Sequence, residues 1–442
     1  MPCEPCGKAE LDLESMPSTQ VVIVDEYTIE TGPTSTLDTK APLEFELAAS
    51  GDDYTDLNEL LLFLTIKMKN GDKTDIEFKD GNGQAGFQRD VGPCNLPAHS
   101  IFSQVELIMN DVLVSSSNNT YPYRAAISTL LSYSKAVKEG WLRDTQGLRV
   151  EDLGKDDKVG NTAMHRFCDD KINSEGVMIL VARPHLDLCH QQRLIPNGVN
   201  IRLRFTRSTD AFFMMSHTSG QKPFKVTIEE ARLQARRVKL AASEQMRLER
   251  IIASKGARYP LAHCVTKNFT LPMGTSSIDV DSVFTGQMPN TIALGLVSNQ
   301  AFNGAYDKSP FNFHHYNLSA ASLNVDGKQL PTKGMNFDFD ENSYMDGYLA
   351  LLRCTGTYLS NFDNGISAER FADGSTLLCF DLTPDHAGGA TDHVTARRNG
   401  TVKASLRFKK PLPETVTLVA FGQFDNALVI DKNRSVLYDY VG

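Results

Sequence analysis

The residues able to do chemistry stand mostly at spacings that chemistry cannot use. Gly81-x-Gly83-x-x-Gly86 matches a dinucleotide fingerprint letter for letter, but that motif works only where a strand runs into a helix whose N-terminus holds the pyrophosphate. Here Phe87-Gln88-Arg89-Asp90 and Gly92-Pro93 follow, which cannot build such a helix, so the segment reads as a Gly/Asn loop. A metal site built on one strand wants two histidines one residue apart. His314-His315 are adjacent, so on a strand they would point to opposite faces. The other histidines show no ligand spacing. Among eight cysteines only Cys3-x-x-Cys6 is a close pair, and no second pair completes a zinc site; the rest read as small buried hydrophobes. No Gly-x-Ser-x-Gly elbow is present, so no nucleophile is assigned. Asp52-Asp53, Asp156-Asp157 and Asp338-x-Asp340-Glu341 could supply the carboxylate pair of a glycosidase, yet acid runs in loops read first as solvated surface. No catalytic residue, metal or cofactor is expected.

Arg232, Arg236, Arg237, Lys239, Arg247, Arg250, Lys255 and Arg258 form one basic stretch. It could touch DNA or an acidic neighbour. The plainer reading is a linker whose charges meet Glu244 and Glu249 locally. A net charge of −9 argues against a dedicated nucleic-acid binder, which needs a basic surface to displace counterions.

The elements that carry these residues are mainly strands. A chain of 442 residues is comfortable as two domains of roughly 200. No stretch approaches the ~20 apolar residues that span a bilayer. The N-terminus is polar and acidic, without the apolar centre of a signal peptide, so synthesis and retention on the cytosolic or nuclear side are expected. The first forty residues read as an arm. Beyond them Leu62, Leu64, Ile66 and Met68, then Val105, Leu107 and Met109, then Val199, Ile201, Leu203 and Phe205 each occupy one face of an alternating run. Such runs are strands with one face on a core. Helical patterns are few: Tyr121 to Tyr133, with Thr120 as cap and Pro122 in the first turn, and Ser243 to Ala253. The fold class is all-β.

The second half echoes the first. Val199-x-x-x-Leu203-Arg204-Phe205 recurs as Val402-x-x-x-Leu406-Arg407-Phe408, and each is followed by another alternating strand, Phe224 to Ile228 or Val416 to Ala420. Upstream, Tyr123 precedes Leu130-Leu131 as Tyr344 precedes Leu351-Leu352, and both follow a strand ending in a turn dipeptide, Asn110-Asp111 or Asp326-Gly327. Four matches in one order point to a tandem duplication. The expected layout is an arm over 1–40, one sandwich over 41–240, a bridging helix over 241–258 and a second sandwich over 259–442.

Specific wording in the first half carries a resemblance. Pro42 to Phe45 and Ser50 to Leu57, including Tyr54, Asp56 and Leu57, lead into the Leu61 strand. Asn95, His99, Ser100, Phe102 and Asn110 follow, then Asn119-Thr120-Tyr121-Pro122-Tyr123-Arg124; the head has Lys8 to Leu13 and a Pro-Ser-Thr-Gln run. Over about residues 1 to 135 this resembles the major capsid proteins of Polinton/Maverick elements and adintoviruses. The resemblance implies two tandem eight-stranded jelly rolls with a few short helices in loops. It also implies trimers forming pseudo-hexagonal capsomers that tile an icosahedral shell around double-stranded DNA, with no enzymatic activity. Implied partners are further copies of the chain, penton and minor capsid proteins, and at most weak, non-specific contact with DNA. The location is the virion capsid, assembled in host cytoplasm or nucleus. Tyr54, Phe102, Tyr121 and Tyr123 are expected to anchor loops and helix onto the sandwich, and Asn95 and Asn119 to serve turns. A carbohydrate-binding β-sandwich and a capsid gene adopted by its host remain as alternatives; the first would want exposed aromatics, and Trp141 is the one tryptophan.

Overall fold

The structure, a computed structural model, describes residues 19–37, 41–49, 51–76, 91–150, 162–173, 175–216, 223–388 and 395–438. The Gly81 to Gly86 motif, Cys3/Cys6, Asp156-Asp157 and the Lys8 to Leu13 head lie outside them.

The alternating runs become strands, and their registers sort them into two units. The first holds β1 (Ile23–Thr31), β2 (Leu43–Leu47), β3 (Tyr54–Asn70) and β4 (Phe102–Met109). Next come β5 (Val112–Ser115), β6 (Val177–Ala182), β7 (Ile201–Arg207) and β8 (Phe224–Leu240). The second holds β9 (Ala257–Leu271), β10 (Ser277–Gln287), β11 (Thr291–Ser298) and β12 (Leu318–Val325). It ends with β13 (Lys328–Asn336), β14 (Leu377–Asp381), β15 (Asn399–Phe408) and β16 (Val416–Ile430). In the first unit the sheets run β1-β8-β3-β6 and β2-β7-β4-β5; in the second, β9-β16-β11-β14 and β10-β15-β12-β13. Each order of the second unit is that of the first shifted by eight strands. This is the jelly-roll order, occurring twice: a double jelly roll.

The repeats noted in the sequence occupy equivalent places. The Leu203 and Leu406 segments are β7 and β15, and the strands after them are β8 and β16. Both turn dipeptides close a β4–β5 or β12–β13 hairpin. Asn110 and Asp111 have φ of 45° and 64°, and Asp326 and Gly327 have 48° and 84°, the paired positive values of a two-residue turn whose twist suits the strands. Helix α1 (Tyr121–Ser132) and helix α3 (Met345–Cys354) follow these hairpins, and α2 (Ala242–Lys255) joins the two units. Thr120 does not cap α1; its hydroxyl donates back to Ser117 O at 2.7 Å. Pro122 does sit in the first turn.

Burial follows the alternation. Leu62, Leu64, Ile66 and Met68 are buried, as are Val105, Leu107 and Met109. Most buried apolar side chains of both rolls form one continuous cluster, and Tyr54, Val238 and Leu240 form a small separate one. In the second roll the sheets approach closely at Gly422 on β16, where a Cβ would stand 2.7 Å from Phe284 Cζ of β10. Gly422→Ala is therefore expected to cost about 1–3 kcal/mol through overpacking, read as a lower urea midpoint at unchanged slope.

Three expectations need correction. Residues 23–31 are not a free arm: β1 pairs along β8 from Ile23↔Leu240 to Thr31↔Leu233. Its side chains do not alternate in burial, which is why the pattern hid it. The backbone ladder and Ile29 seat it on the sheet, and its exposed side carries ion pairs, Arg232 on Glu30 at 3.0 Å and Arg236 on Glu26. The basic stretch is accordingly not all linker: Arg232, Arg236, Arg237 and Lys239 lie on β8. His314 and His315 are not on a strand with opposed faces either; their rings stack 4.8 Å apart, and His315 stacks on Phe339 at 4.1 Å.

Candidate functional site

Several deeply buried polar side chains gather where the two rolls meet. Helix α1 lies there because its Pro122 start and its Ala126, Ile127 and Leu130 face fix it onto the first roll, all of them buried. Arg124 on that helix is 4% exposed, and its Nη2 donates to Asp187 Oδ1 at 2.5 Å. Asp187 opens the short turn Asp187–His190. Its other oxygen meets His263 Nδ1 of β9 at 2.6 Å, and Cys264 N donates to Oδ1 at 3.3 Å. One carboxylate of the first roll is thus held by the second. Burial alone would raise the Asp187 pKa, but Arg124 and His263 hold it down at about 2.

A second buried chain runs alongside. His99 Nδ1 meets Tyr121 OH at 3.0 Å, His99 Nε2 meets Gln146 Oε1 at 3.0 Å, and the Tyr121 OH accepts from His185 N at 3.2 Å. Burial drives the His99 pKa down to about 4, against a partial opposing effect from Gln146, and drives His185 well below its usual value. Both rings are neutral at pH 7.

A pH dependence follows from these shifts. An unfolded histidine titrates near pH 6.5, so between 6.5 and about 4 the unfolded chain takes up a proton that folded His99 refuses. The stabilisation is complete above 6.5 and is lost as the pH falls through that window, at about 3 kcal/mol by the lower end for His99. His185 acts in the same direction. Urea midpoints measured at pH 7, 5.5 and 4.5 should fall in that order, and His99→Gln should flatten the slope. An equal slope in the variant counts against this assignment.

Other groups cross the seam. Lys138, 1% exposed, donates to Leu130 O and to Asn364 O of the second roll, both at 2.6 Å, and burial lowers its pKa to about 7. Tyr123 stacks on Phe302 at 5.1 Å and meets Phe311 edge-on at 5.8 Å. Arg434, in the turn after β16, donates to Asn197 O at 2.7 Å and to Glu249 of α2 at 2.6 Å.

The motif residues divide among several places. Asn95, His99, Tyr121, Tyr123 and Arg124 converge on the seam or beside it, with Pro122 starting the helix. Asn95 clamps a loop, donating to Arg149 O at 2.6 Å and accepting from Leu96 N and Arg149 N. Ser100 is buried next to His99, and its hydroxyl has no hydrogen-bond partner among the described residues. Asn119 is exposed with φ 58°, so it serves its turn by conformation. Asn110 reaches the seam from the other side, donating to Arg434 O at 2.8 Å. Phe102 packs on Phe205 at 4.9 Å inside the first roll. Tyr54, Asp56 and Leu57 lie elsewhere: Tyr54 packs with Val238 and Leu240, Asp56 pairs with Arg236 at 3.1 Å, and Leu57 is core. Sequence reasoning missed Asp187, His185, His263 and Lys138. Their partners are far off in the chain, so no spacing could signal them.

Among the described residues no group of three or more His, Cys, Asp or Glu could hold a metal ion. Asp338 and Asp340 are met by Lys409 at 2.9 and 3.2 Å on the surface. Arg236 is met by Glu26, Asp56 and Glu59, and Arg247 by Glu244, so part of the basic stretch is locally neutralised. No described helix is long and apolar enough to cross a membrane.

The architecture defines the class: a double jelly roll whose two rolls are tied by buried hydrogen bonds, Asp187 with His263 and Lys138 with Asn364. No protein-family model matches the chain. It is similar in fold to a chain of the Sputnik virophage determined by cryo-EM, with a TM-score of 0.66 and 12% identity over 100% of this chain and 94% of that one. The mavirus major capsid protein gives a TM-score of 0.53 and 11% identity over 98% and 93%. In sequence, an uncharacterized protein of Caenorhabditis elegans is 26% identical over 430 residues, 96% of this chain and 100% of that protein.

Proposed function

We propose that this chain is a major capsid protein. It trimerises into pseudo-hexagonal capsomers that tile an icosahedral shell around double-stranded DNA. The observation that carries the reading is the pair of rolls with the same strand order, joined by α2 and by buried hydrogen bonds such as Asp187 with His263. Three such pairs about an axis present six near-equivalent outward faces, so neighbouring capsomers can meet by nearly the same contacts all round. Jelly rolls also leave few open strand edges, which suits a protein that works at high local concentration.

In this reading the working units are 41–240 and 259–442 with 241–258 between them, β1 of the N-terminal segment lending an edge to the first. The residues from Tyr54 to Arg124 serve folding and trimer assembly, not turnover. Penton and minor capsid proteins are the further partners, DNA is touched weakly and without sequence preference, and the protein resides in the virion after assembly in host cytoplasm or nucleus. The motif wording over about residues 1 to 135 is what supports the Polinton/Maverick and adintovirus type in this reading.

The test is recombinant expression followed by light scattering and negative-stain microscopy. Three times the 48.8 kDa chain mass and hexagonal outlines are expected. A strict monomer at every salt concentration overturns the reading. The full-length match to a nematode protein favours one variant of it, a capsid gene adopted by an animal host. Genomic neighbours encoding a packaging ATPase, a protease and a penton protein would argue for a working element instead.

A further inference from the structure

The seam joins unlike faces of two rolls that share one topology, so each roll keeps the face that the other has used. The first roll offers α1 and the turn after β6; the second offers β9, the outer strand of its sheet. Polar groups of the first roll cap the free edge of β9. Arg193 donates to Arg258 O at 2.5 Å, Asp187 accepts from Cys264 N at 3.3 Å, and Thr120 donates to Thr266 O at 3.5 Å. Residues 258, 264 and 266 stand at alternate positions, so these contacts lie along the side of β9 turned away from β16. On α1, Arg124, Ser128 and Ser132 line the same space together with Ala262 and Cys264 of β9.

Both surfaces recur, and both recurrences are exposed. In strand order β1 stands in the first roll where β9 stands in the second, again as an outer strand. Its Val24 and Tyr27 side chains face water. In the repeat that aligns Tyr123 with Tyr344, Arg124, Ser128 and Ser132 correspond to Met345, Leu349 and Arg353. These three share one face of α3 at i, i+4 and i+8, and all are exposed. Met345 is 52% exposed, whereas Arg124 under the seam is 4% exposed. Asp385, also exposed, follows β14 as Asp187 follows β6. An open edge strand and a helix face with apolar side chains are surfaces that proteins cover with a partner.

We propose that α3 and the segment after β14 of one copy pack on β1 of a second copy. This repeats between chains the contact that α1 and the Asp187 turn make with β9 within one. The inference rests on the self-assembly proposed above and names the surfaces that carry it. Such an interface joins unlike faces head to tail; an open row leaves one unused face at each end, and a closed ring leaves none. Its chemistry differs from that of the seam. Met345 and Leu349 stand where the seam has Arg124 and Ser128, so this contact is carried by apolar burial and not by a buried ion pair.

The test places a photoreactive benzophenone side chain at position 349 of the full chain and irradiates the assembled protein. Mixing isotopically light and heavy copies before assembly identifies adducts between chains, and peptide mass spectrometry should place them within residues 23–31. Met345→Glu/Leu349→Glu alters exposed side chains only. The monomer should therefore melt as the wild type does, while self-association weakens by at least about tenfold. The inference is overturned if an oligomer forms with its interchain adducts confined elsewhere, or if the double variant assembles as well as the wild type. A wild-type chain that stays monomeric at every salt concentration overturns the assembly reading itself, and the inference with it.

Discussion

Asp187→Ala is expected to destabilise the protein by about 3–5 kcal/mol, because it leaves the Arg124 guanidinium buried without its counter-charge. The substitution also removes the acceptor of His263 and of Cys264 N, so both rolls lose contacts at once. Arg124→Met should be similarly damaging from the other side, leaving Asp187 as a buried carboxylate held only by His263 and Cys264 N. The double variant Arg124→Met/Asp187→Leu removes both charges and should recover much of the loss, since an apolar pair of similar volume often matches a buried ion pair. Urea unfolding of the three variants gives the coupling directly. If Asp187→Ala costs under about 1 kcal/mol, the pair behaves as a solvated surface bridge and the account of the seam fails.

The second large effect is at Tyr123. Its ring is 2% exposed and stands between Phe212 of the first roll and Phe302 and Phe311 of the second. Tyr123→Ala should cost about 3–5 kcal/mol, combining lost burial with a cavity that the surrounding aromatics cannot close. The hydroxyl tells a different story. It is buried without a hydrogen-bond partner among the described residues, so Tyr123→Phe should be neutral or mildly stabilising. Melting temperature separates the two variants, and scattering reads whether assembly follows stability. Unchanged melting and oligomeric state for Tyr123→Ala would remove this residue from the seam's energetics. An equal loss for Tyr123→Phe would mean that the hydroxyl, not the ring, is what the seam uses.

Much of the fold could be read because a strand writes its burial into the chain at period two. Leu62 to Met68, Val105 to Met109 and Val199 to Phe205 alternate without interruption, and each became a strand with that face buried. The turns were legible for a different reason: Asn110-Asp111 and Asp326-Gly327 tolerate positive φ, so they mark hairpins locally. β1 escaped detection because most of its side chains are exposed, with Glu26 and Glu30 meeting Arg236 and Arg232 of β8, so it carries no sustained apolar period. Equivalence in sequence also did not imply equivalence in role. Tyr123 and Tyr344 stand in matching places, yet Tyr123 crosses the seam while Tyr344 stacks on Phe339 in its own roll at 5.6 Å.

The sequence by itself determined the all-β class, the order of the repeated elements and the helix that joins the halves, because those depend on neighbours two to four residues apart. Only the tertiary structure decided which buried charges meet. Asp187 gains Arg124 and His263 from 63 and 76 residues away, distances over which no periodicity reaches. The packing of one roll against the other brings them within hydrogen-bonding range, and the low-dielectric seam so formed makes their pairing matter.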